Sequence, residues 1–299
     1  MRLGLDYGGT KIEGVVLDAA GAERARARVP TPRHDYDGGI RAIRDLLGTL
    51  EGQAGGRIEQ VGIGVPGSVD RESGRVSLGN STWLHGRDLK GDLAAALDRP
   101  VKIANDANCF ALSEAVDGAG AGAQVVFGVI LGTGVGGGLV VHGRLVEGVN
   151  AIGGEWGHIP LPAPSDGERP GPLCSCGVPG HTEAWLSGPS LAADYGRATG
   201  ADPSEVRSQE IVERAEAGEA AAEAALRRFE DRLGRSLALI VNVIDPDVIV
   251  LGGGLSNVAR FYETVPPRIE AHVFGDRFAT RLVKNVHGDA SGVRGAAWL

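Results

Sequence analysis

The chain has 299 residues, 42% of them hydrophobic and 23% charged, with a net charge of −8 at pH 7. That length accommodates two domains of ordinary size, and an acidic balance without a basic tail or stripe argues against nucleic acid or an anionic membrane as partner. No apolar run approaches the roughly 20 residues that span a bilayer, no signal-peptide pattern opens the chain, and three cysteines, two of them in Cys-x-Cys, argue for a reducing cytoplasm rather than a disulfide framework.

Residues 2–6 (RLGLD) and 11–18 (KIEGVVLD) read as two short strands, and YGGT between them as the tight turn of a β-hairpin. Gly8 and Gly9 let backbone N–H groups approach a phosphate, and Thr10 adds a hydroxyl. Asp6 at the strand end is placed to hold a hydrated Mg²⁺, and Lys11 to carry charge near the phosphates. The turn is not a G-x-x-x-x-G-K-[ST] loop, and taken alone it is equally a plain hairpin.

Residues 36–50 carry Ile40, Ile43, Leu46, Leu47 and Leu50 at helical spacing, and residues 89–97 form a shorter helix. A third helix over 107–117 starts after Asn105-Asp106, with Asp106 as N-cap. Next come a strand at 125–131 (VVFGVIL), a turn containing Gly132, Thr133 and Gly134, and a strand at 137–142 (GGLVVH). The repeat of strand, Gly/Thr turn and strand points to a duplicated domain, with a nucleotide's phosphates held from both sides. A long helix over 220–244 presents Leu226, Phe229, Leu233, Leu237, Ile240 and Val241 on one side and stops before Asp245-Pro246. The strand DVIV (247–250) leads into Gly252, Gly253 and Gly254, where bare backbone suits an adenine or ribose, and a helix is expected from Ser256. A domain boundary is expected in the turn near residues 119–122.

Residues 153–188 concentrate chemistry. His158, Cys174, Cys176 and His181 are the four N/S donors that a closed tetrahedral Zn²⁺ site uses; the other reading is a pair of loop thiols and two solvent histidines. Between His158 and Cys174 the segment LPAPSDGERPGPL has no periodic apolar pattern and little to hold it by packing, so a metal would fix its ends. Glu155 and Glu183 sit close in sequence to His158 and His181, which would orient two carboxylates toward a polyol.

With NSTWL (80–84), ANDANCFALSEAVDGAGAGA (104–123), DPDVIVLGGGLSNV (245–258) and HGDASGVRGAAWL (287–299), the chain resembles sugar kinases of the ROK family (repressors, open reading frames and kinases) over nearly its whole length, and these stretches are similar to bacterial fructokinases that also take mannose. The resemblance implies an α/β fold of the actin-like ATPase (ribonuclease H-like) type, duplicated into two α/β domains around a central cleft: residues 1–118 with a C-terminal helix at 288–299, and residues 119–287. It further implies Asp106 as general base, Asn105, Glu155, His158 and Glu183 as ligands of sugar hydroxyls, and Asn80 and Trp83 as shapers of the sugar pocket, Trp83 being equally an ordinary core residue.

The family's zinc motif, Cys-x-Cys-Gly-x-x-Gly-Cys-x-Glu, appears here as CSCGVPGHTE, with His181 in place of the third cysteine, a competent zinc ligand. The implied cofactors are ATP, Mg²⁺ near Asp6 and Asp106, and structural Zn²⁺; the implied assembly is a homodimer. The expected reaction is transfer of the γ-phosphoryl of MgATP to the 6-hydroxyl of fructose, with mannose, glucose or an N-acetylated amino sugar as alternatives. A sugar-responsive repressor would carry a helix-turn-helix ahead of the first strand, which here begins at Arg2. A sugar-binding protein without catalysis fits poorly with intact Asp6, Asp106 and both turns.

Overall fold

Alternation builds the first sheet. In β1 (Arg2–Tyr7) Leu3, Leu5 and Tyr7 are fully buried and alternate with Gly4 and Asp6, so the period of two sends three large side chains to one face. β2 (Lys11–Leu17) and β3 (Glu23–Pro30) complete an antiparallel meander with β1. The apolar face meets α1 (Tyr36–Ala54), whose Ile43, Leu46, Leu47 and Leu50 join the same core. Burying each contributes roughly 1.5–3 kcal/mol. Asp35 caps α1 by accepting from the Gly38 N–H, and Gly55 ends it in the left-handed region. The computed structural model describes residues 1–70, 73–77 and 81–299.

β4 (Gln60–Val65) pairs parallel with β1. The short β5 (Ser68–Val69) and β6 (Val76–Ser77) pair with each other. α2 (Leu89–Leu97) then leads to β7 (Val101–Asn105), parallel to β4, which closes a sheet of order β3-β2-β1-β4-β7. β7 runs directly into α3 (Asp106–Val116). The N-cap of α3 is Asn105, whose side-chain oxygen accepts from the Ala107 and Asn108 N–H groups; Asp106 is the first helical residue, not the cap. An amide does the capping, and the neighbouring carboxylate is left for other work.

β8 (Val125–Leu131) and β9 (Val135–Val141) flank the second glycine turn, and β10 (Arg144–Leu145) pairs antiparallel with β9. α4 (Glu183–Leu186), α5 (Gly188–Thr199), α6 (Ser208–Glu216) and α7 (Ala220–Ile244) precede β11 (Val248–Gly252), which is parallel to β8. α7 ends with Asp245 in the left-handed region, ahead of Pro246. The helix expected from Ser256 is not one helix. A 3₁₀ turn (Gly254–Asn257) is followed by α8 (Phe261–Thr264) and α9 (Pro266–Glu270), because Pro266 and Pro267 lack the N–H groups that would continue α8. β12 (Arg281–Lys284) pairs parallel with β11, giving the order β10-β9-β8-β11-β12. Meander followed by parallel strands thus occurs twice, in the same order, and the fold is the actin-like α/β one.

Two compact units emerge: Met1–Gly122 with Gly138–Gly154 and Val286–Leu299, and Ala123–Gly137 with Glu155–Asn285. In the first, α10 (Ser291–Trp298) lies on β1, β4 and α3. Its approach is close enough that a Cβ at Gly4 or Gly62 would fall 1.9 Å from the Val293 carbonyl oxygen or 1.8 Å from that of Ala296. Glycine is what lets this helix seat. Among the described residues, no helix is long and apolar enough to cross a membrane.

Candidate functional site

In the first unit the pairing of β1 with β4 and of β4 with β7 sets the ends of β1 and β7 on one side of the sheet. Asp6 near the end of β1 and Asp106 just beyond β7 come close enough to interact electrostatically. Burial, then the neighbouring Asp106, push the Asp6 carboxyl up to about 6. Asp106 keeps solvent access, but the protein around its carboxyl raises its pKa too, against the opposing pull of hydrogen bonds from backbone N–H groups and Asn105. One Asp106 oxygen accepts from the Ala107 N–H at 2.8 Å. Asn105 is fixed from both ends, its oxygen on the α3 backbone and its amide nitrogen donating to the Gly67 carbonyl at 2.9 Å.

Beside this pair, the Gly8 N–H donates to the Lys11 carbonyl at 3.0 Å and the Thr31 hydroxyl to the Gly8 carbonyl, which fixes the first glycine turn. Gly9 and Thr10 complete it, Thr10 exposed. Lys11, expected near phosphates, donates to Glu13 at 2.6 Å. Two neighbouring carboxylates, one of which raises the pKa of the other, are suited to a divalent cation, whose charge relieves their repulsion; the donor set therefore fits Mg²⁺. Trp83 sits in the 3₁₀ turn Thr82–Leu84, edge-on to His34 at 5.1 Å, and packs against the first core. Asn80 lies outside the described residues.

In the second unit the glycine turn between β8 and β9 is held by the Gly188 N–H, which donates to the Gly132 carbonyl at 2.8 Å. Thr133 and Gly134 follow, and a Cβ at Gly134 would lie 2.8 Å from Glu183 Oε2. Gly253 sits at φ 78°, where a Cβ would strike the Leu131 carbonyl oxygen at 2.4 Å. Gly252 ends β11 and Gly254 starts the 3₁₀ turn. Gly132, Thr133 and Gly254 open onto a groove of about 850 Å³, walled by the N-terminal residues Gly188 and Pro189 of α5 and Ser208 and Gln209 of α6. The sequence reading found the two glycine-rich edges of this groove and missed these two helix starts. Ser187 capping Ser190, with Pro189 in the first turn, was the available signal for α5.

The cysteines and histidines converge. A knuckle bridged between Leu173 and Pro179 carries Cys174 and Cys176, and a bridge between Pro160 and His181 aligns the two histidine segments. The ligand atoms of His158, Cys174, Cys176 and His181 all lie within 4.8 Å of one another, with Cys174 Sγ 3.6 Å from His158 Nδ1 and Cys176 Sγ 3.2 Å from His181 Nδ1. The edges of a tetrahedral zinc site with nitrogen and sulfur ligands measure about 3.3–3.8 Å. The two paired separations match or approach that edge, and the donor chemistry of all four side chains suits the metal.

The 159–173 segment, however, is not short of anchors. Glu168 accepts from Arg232 Nε at 2.8 Å and from Arg235 Nη2 at 2.9 and 3.1 Å, while Arg235 Nη1 donates to the carbonyls of Pro162 and Ala163. Burial pushes the Glu168 carboxyl up, but hydrogen bonds from Arg232, the Ser165 N–H and Arg235 outweigh it and hold the group at about 2. Charge from α7 secures the middle of the loop, and burial of Leu161 adds an apolar anchor near its start.

Glu183 begins α4 and is held at both oxygens. Oε2 accepts from the Val135 N–H at 3.0 Å and Oε1 from the Ser175 hydroxyl at 2.6 Å. Burial raises its pKa, and the Ser175 and Val135 bonds more than reverse that, so it stays ionised. His158 closes the 3₁₀ turn Trp156–His158, and Glu155 directly precedes that turn. The Trp156 indole N–H donates to the Gly136 carbonyl at 2.8 Å, fixing both.

The sequence pattern of the ROK family matches residues 2–299. The chain belongs to the ROK family. It is 40% identical over 303 residues to an N-acetyl-D-glucosamine kinase of Yersinia enterocolitica, a match covering 100% of this chain and 99% of that one. Among solved structures, a ROK hexokinase from Thermus thermophilus aligns with a TM-score of 0.88 and 33% identity over 99% of this chain and 96% of that chain. A ROK family glucokinase from Streptomyces griseus in complex with glucose and AMPPNP aligns with a TM-score of 0.78 and 28% identity, covering 99% and 97%. The fructokinase type expected from NSTWL and ANDANCFALSEA is not supported: the Yersinia enterocolitica relative, like one from Shigella flexneri at 39% identity, is named an N-acetyl-D-glucosamine kinase.

Proposed function

We propose that the protein is an ATP-dependent sugar kinase that phosphorylates the 6-hydroxyl of N-acetyl-D-glucosamine. The substrate rests on one observation, 40% identity across the whole chain to a relative named for that reaction; fructose, the first expectation, has no comparable support. The chemistry rests on Asp106. A hexose hydroxyl is a weak nucleophile, and a carboxylate within hydrogen-bond reach takes its proton as the new O–P bond forms and the bond from Pγ to the leaving ADP oxygen breaks. Burial raises the pKa of Asp106, which strengthens its carboxylate as a base.

Asn105 caps α3 and so fixes where Asp106 points; Asn105, Glu155, His158 and Glu183 are the ligands proposed for the sugar hydroxyls. Gly8, Gly9, Thr10, Gly132, Thr133 and Gly134 receive the phosphates, and the 850 Å³ groove bordered by Gly254, next to Gly252 and Gly253, takes the nucleoside. Mg²⁺ held near Asp6 and Asp106 would neutralise phosphate charge. Zn²⁺ on His158, Cys174, Cys176 and His181, with four protein ligands, is structural.

The test is ADP release with MgATP and N-acetylglucosamine, paired with the Asp106→Asn variant. Turnover in the native enzyme, falling by roughly 10²–10⁴-fold in Asp106→Asn while the sugar still binds, is expected. A variant that keeps near-native turnover removes Asp106 from the mechanism.

A further inference from the structure

The Cys-x-Cys motif fixes its two sulfur positions and leaves the middle residue free to vary, yet here that residue makes the shortest contact to Glu183. Ser175 Oγ lies 2.6 Å from Glu183 Oε1. The only other contact to that oxygen within the knuckle is Cys174 Sγ at 3.5 Å. As a thiol, Cys174 can donate weakly; as a zinc ligand it is a thiolate and cannot donate at all. In the metal-bound protein, therefore, Ser175 is the knuckle's sole donor to Oε1. The opposite oxygen is held by the Val135 N–H, which belongs to the strand leaving the Gly132–Thr133–Gly134 turn. Between them, the serine and the strand fix the plane of the carboxylate, and with it the direction of the lone pairs left for a sugar.

We infer that Ser175 is a positioning residue for sugar recognition: its hydroxyl couples the zinc knuckle to Glu183 and sets the orientation in which that carboxylate meets the substrate's hydroxyls. The metal alone does not do this, because none of the four ligand atoms can donate to Glu183 once the metal is bound. The inference rests on the reading of Glu183 as a sugar ligand. Ser175 is exposed, so its removal opens no cavity and a threonine has room for its extra methyl.

The experiment uses full-length, zinc-loaded protein and N-acetylglucosamine as probe, comparing Ser175→Ala, Ser175→Thr and Glu183→Gln. Sugar Kd by calorimetry without ATP is measured beside kcat, KM for sugar, KM for ATP and zinc content. Ser175→Ala is expected to weaken sugar Kd and raise sugar KM about tenfold, the scale of one lost hydrogen bond to a charged group. KM for ATP and zinc content should stay unchanged, and Ser175→Thr should restore sugar binding. If Glu183→Gln weakens sugar binding and Ser175→Ala does not, Ser175 has no positioning role. If Glu183→Gln leaves the sugar Kd unchanged, the assignment of Glu183 itself fails and the inference falls with it. Loss of zinc from Ser175→Ala would also overturn it, by reducing the serine to a support of the metal loop.

Discussion

Glu114 offers the sharpest test of how the first unit is held together. It is fully buried on α3, has no ion-pair partner among the described residues, and satisfies four donors instead. Oε2 accepts from the Ala119 N–H at 2.9 Å and the Val286 N–H at 3.1 Å; Oε1 accepts from the Ser291 hydroxyl at 2.8 Å and the His287 N–H at 3.3 Å. One carboxylate thereby ties two chain segments, 119 and 286–291, to the helix that starts with Asp106.

Glu114→Gln replaces one acceptor oxygen by a donor. Its least costly orientation points the NH₂ at Ser291, whose hydroxyl can turn to accept it and still has the Gly288 carbonyl at 3.0 Å. The His287 N–H then loses its acceptor, costing about 1–3 kcal/mol, and the remaining bonds lose their charge assistance, adding about 1 kcal/mol. At about 2–4 °C per kcal/mol for a unit of this size, Tm should fall by roughly 4–16 °C. Glu114→Ala, which strands all four donors, should fall further, and Ser291→Ala, which removes one bond, by only about 2–4 °C. Thermal unfolding followed by fluorescence gives the ranking. A Glu114→Gln variant melting within about 1 °C of the native chain would refute the reasoning, because neither the lost His287 bond nor the lost charge assistance would then have a measurable cost.

Asp6 gives a pH dependence with a definite sign. Its carboxyl is raised from 3.8 to about 6 in the fold, so the folded chain binds the proton more tightly than the unfolded one. The associated stability is present below the unfolded value and is lost as pH rises through the folded one. The Tm advantage of Asp6→Asn over the native, magnesium-free chain should therefore grow from about pH 4 to about pH 6 and then level off; a gap independent of pH contradicts the proposed burial. For the zinc knuckle, metal analysis should give one zinc per chain. After chelation, limited proteolysis should cut within residues 171–182 and spare 162–169, because Arg232 and Arg235 still hold Glu168. Cleavage first in 162–169 would show that the metal, not α7, secures that loop.

What the sequence revealed, it revealed where one short stretch carries its own constraint. YGGT between two apolar runs is a hairpin with either neighbour ignored, and its second copy disclosed the duplication seen in the two sheets. Leu89–Leu97 and Ala220–Ile244 have the expected bounds, since a helical apolar stripe and Asp245-Pro246 are local signals. The four candidate zinc ligands come together because they lie within one stretch of 24 residues, His158 to His181.

Other features depend on distant partners. Arg232 and Arg235 look like the solvent face of α7 until Glu168, 64 and 67 residues away, is placed between them. β3, ERARARVP, alternates only small apolar residues with arginines and shows its strand by pairing with β2. The cap of α3 was misread because Asn105 and Asp106 are both good caps, and only the backbone angles distinguish them. The choice of fructose leaned on NSTWL, part of which lies outside the described residues, and on ANDANCFALSEA, which holds the proposed base and its helix; neither stretch measures the shape of a sugar pocket.

The most direct test of the central claim is a competition. The enzyme is given limiting MgATP with N-acetylglucosamine, glucose, mannose and fructose at equal concentration, and the phosphosugars are quantified by mass spectrometry, so that their ratios report relative kcat/KM. N-acetylglucosamine 6-phosphate should dominate the products. Dominance of any phosphorylated plain hexose, fructose 6-phosphate included, would contradict the proposed substrate.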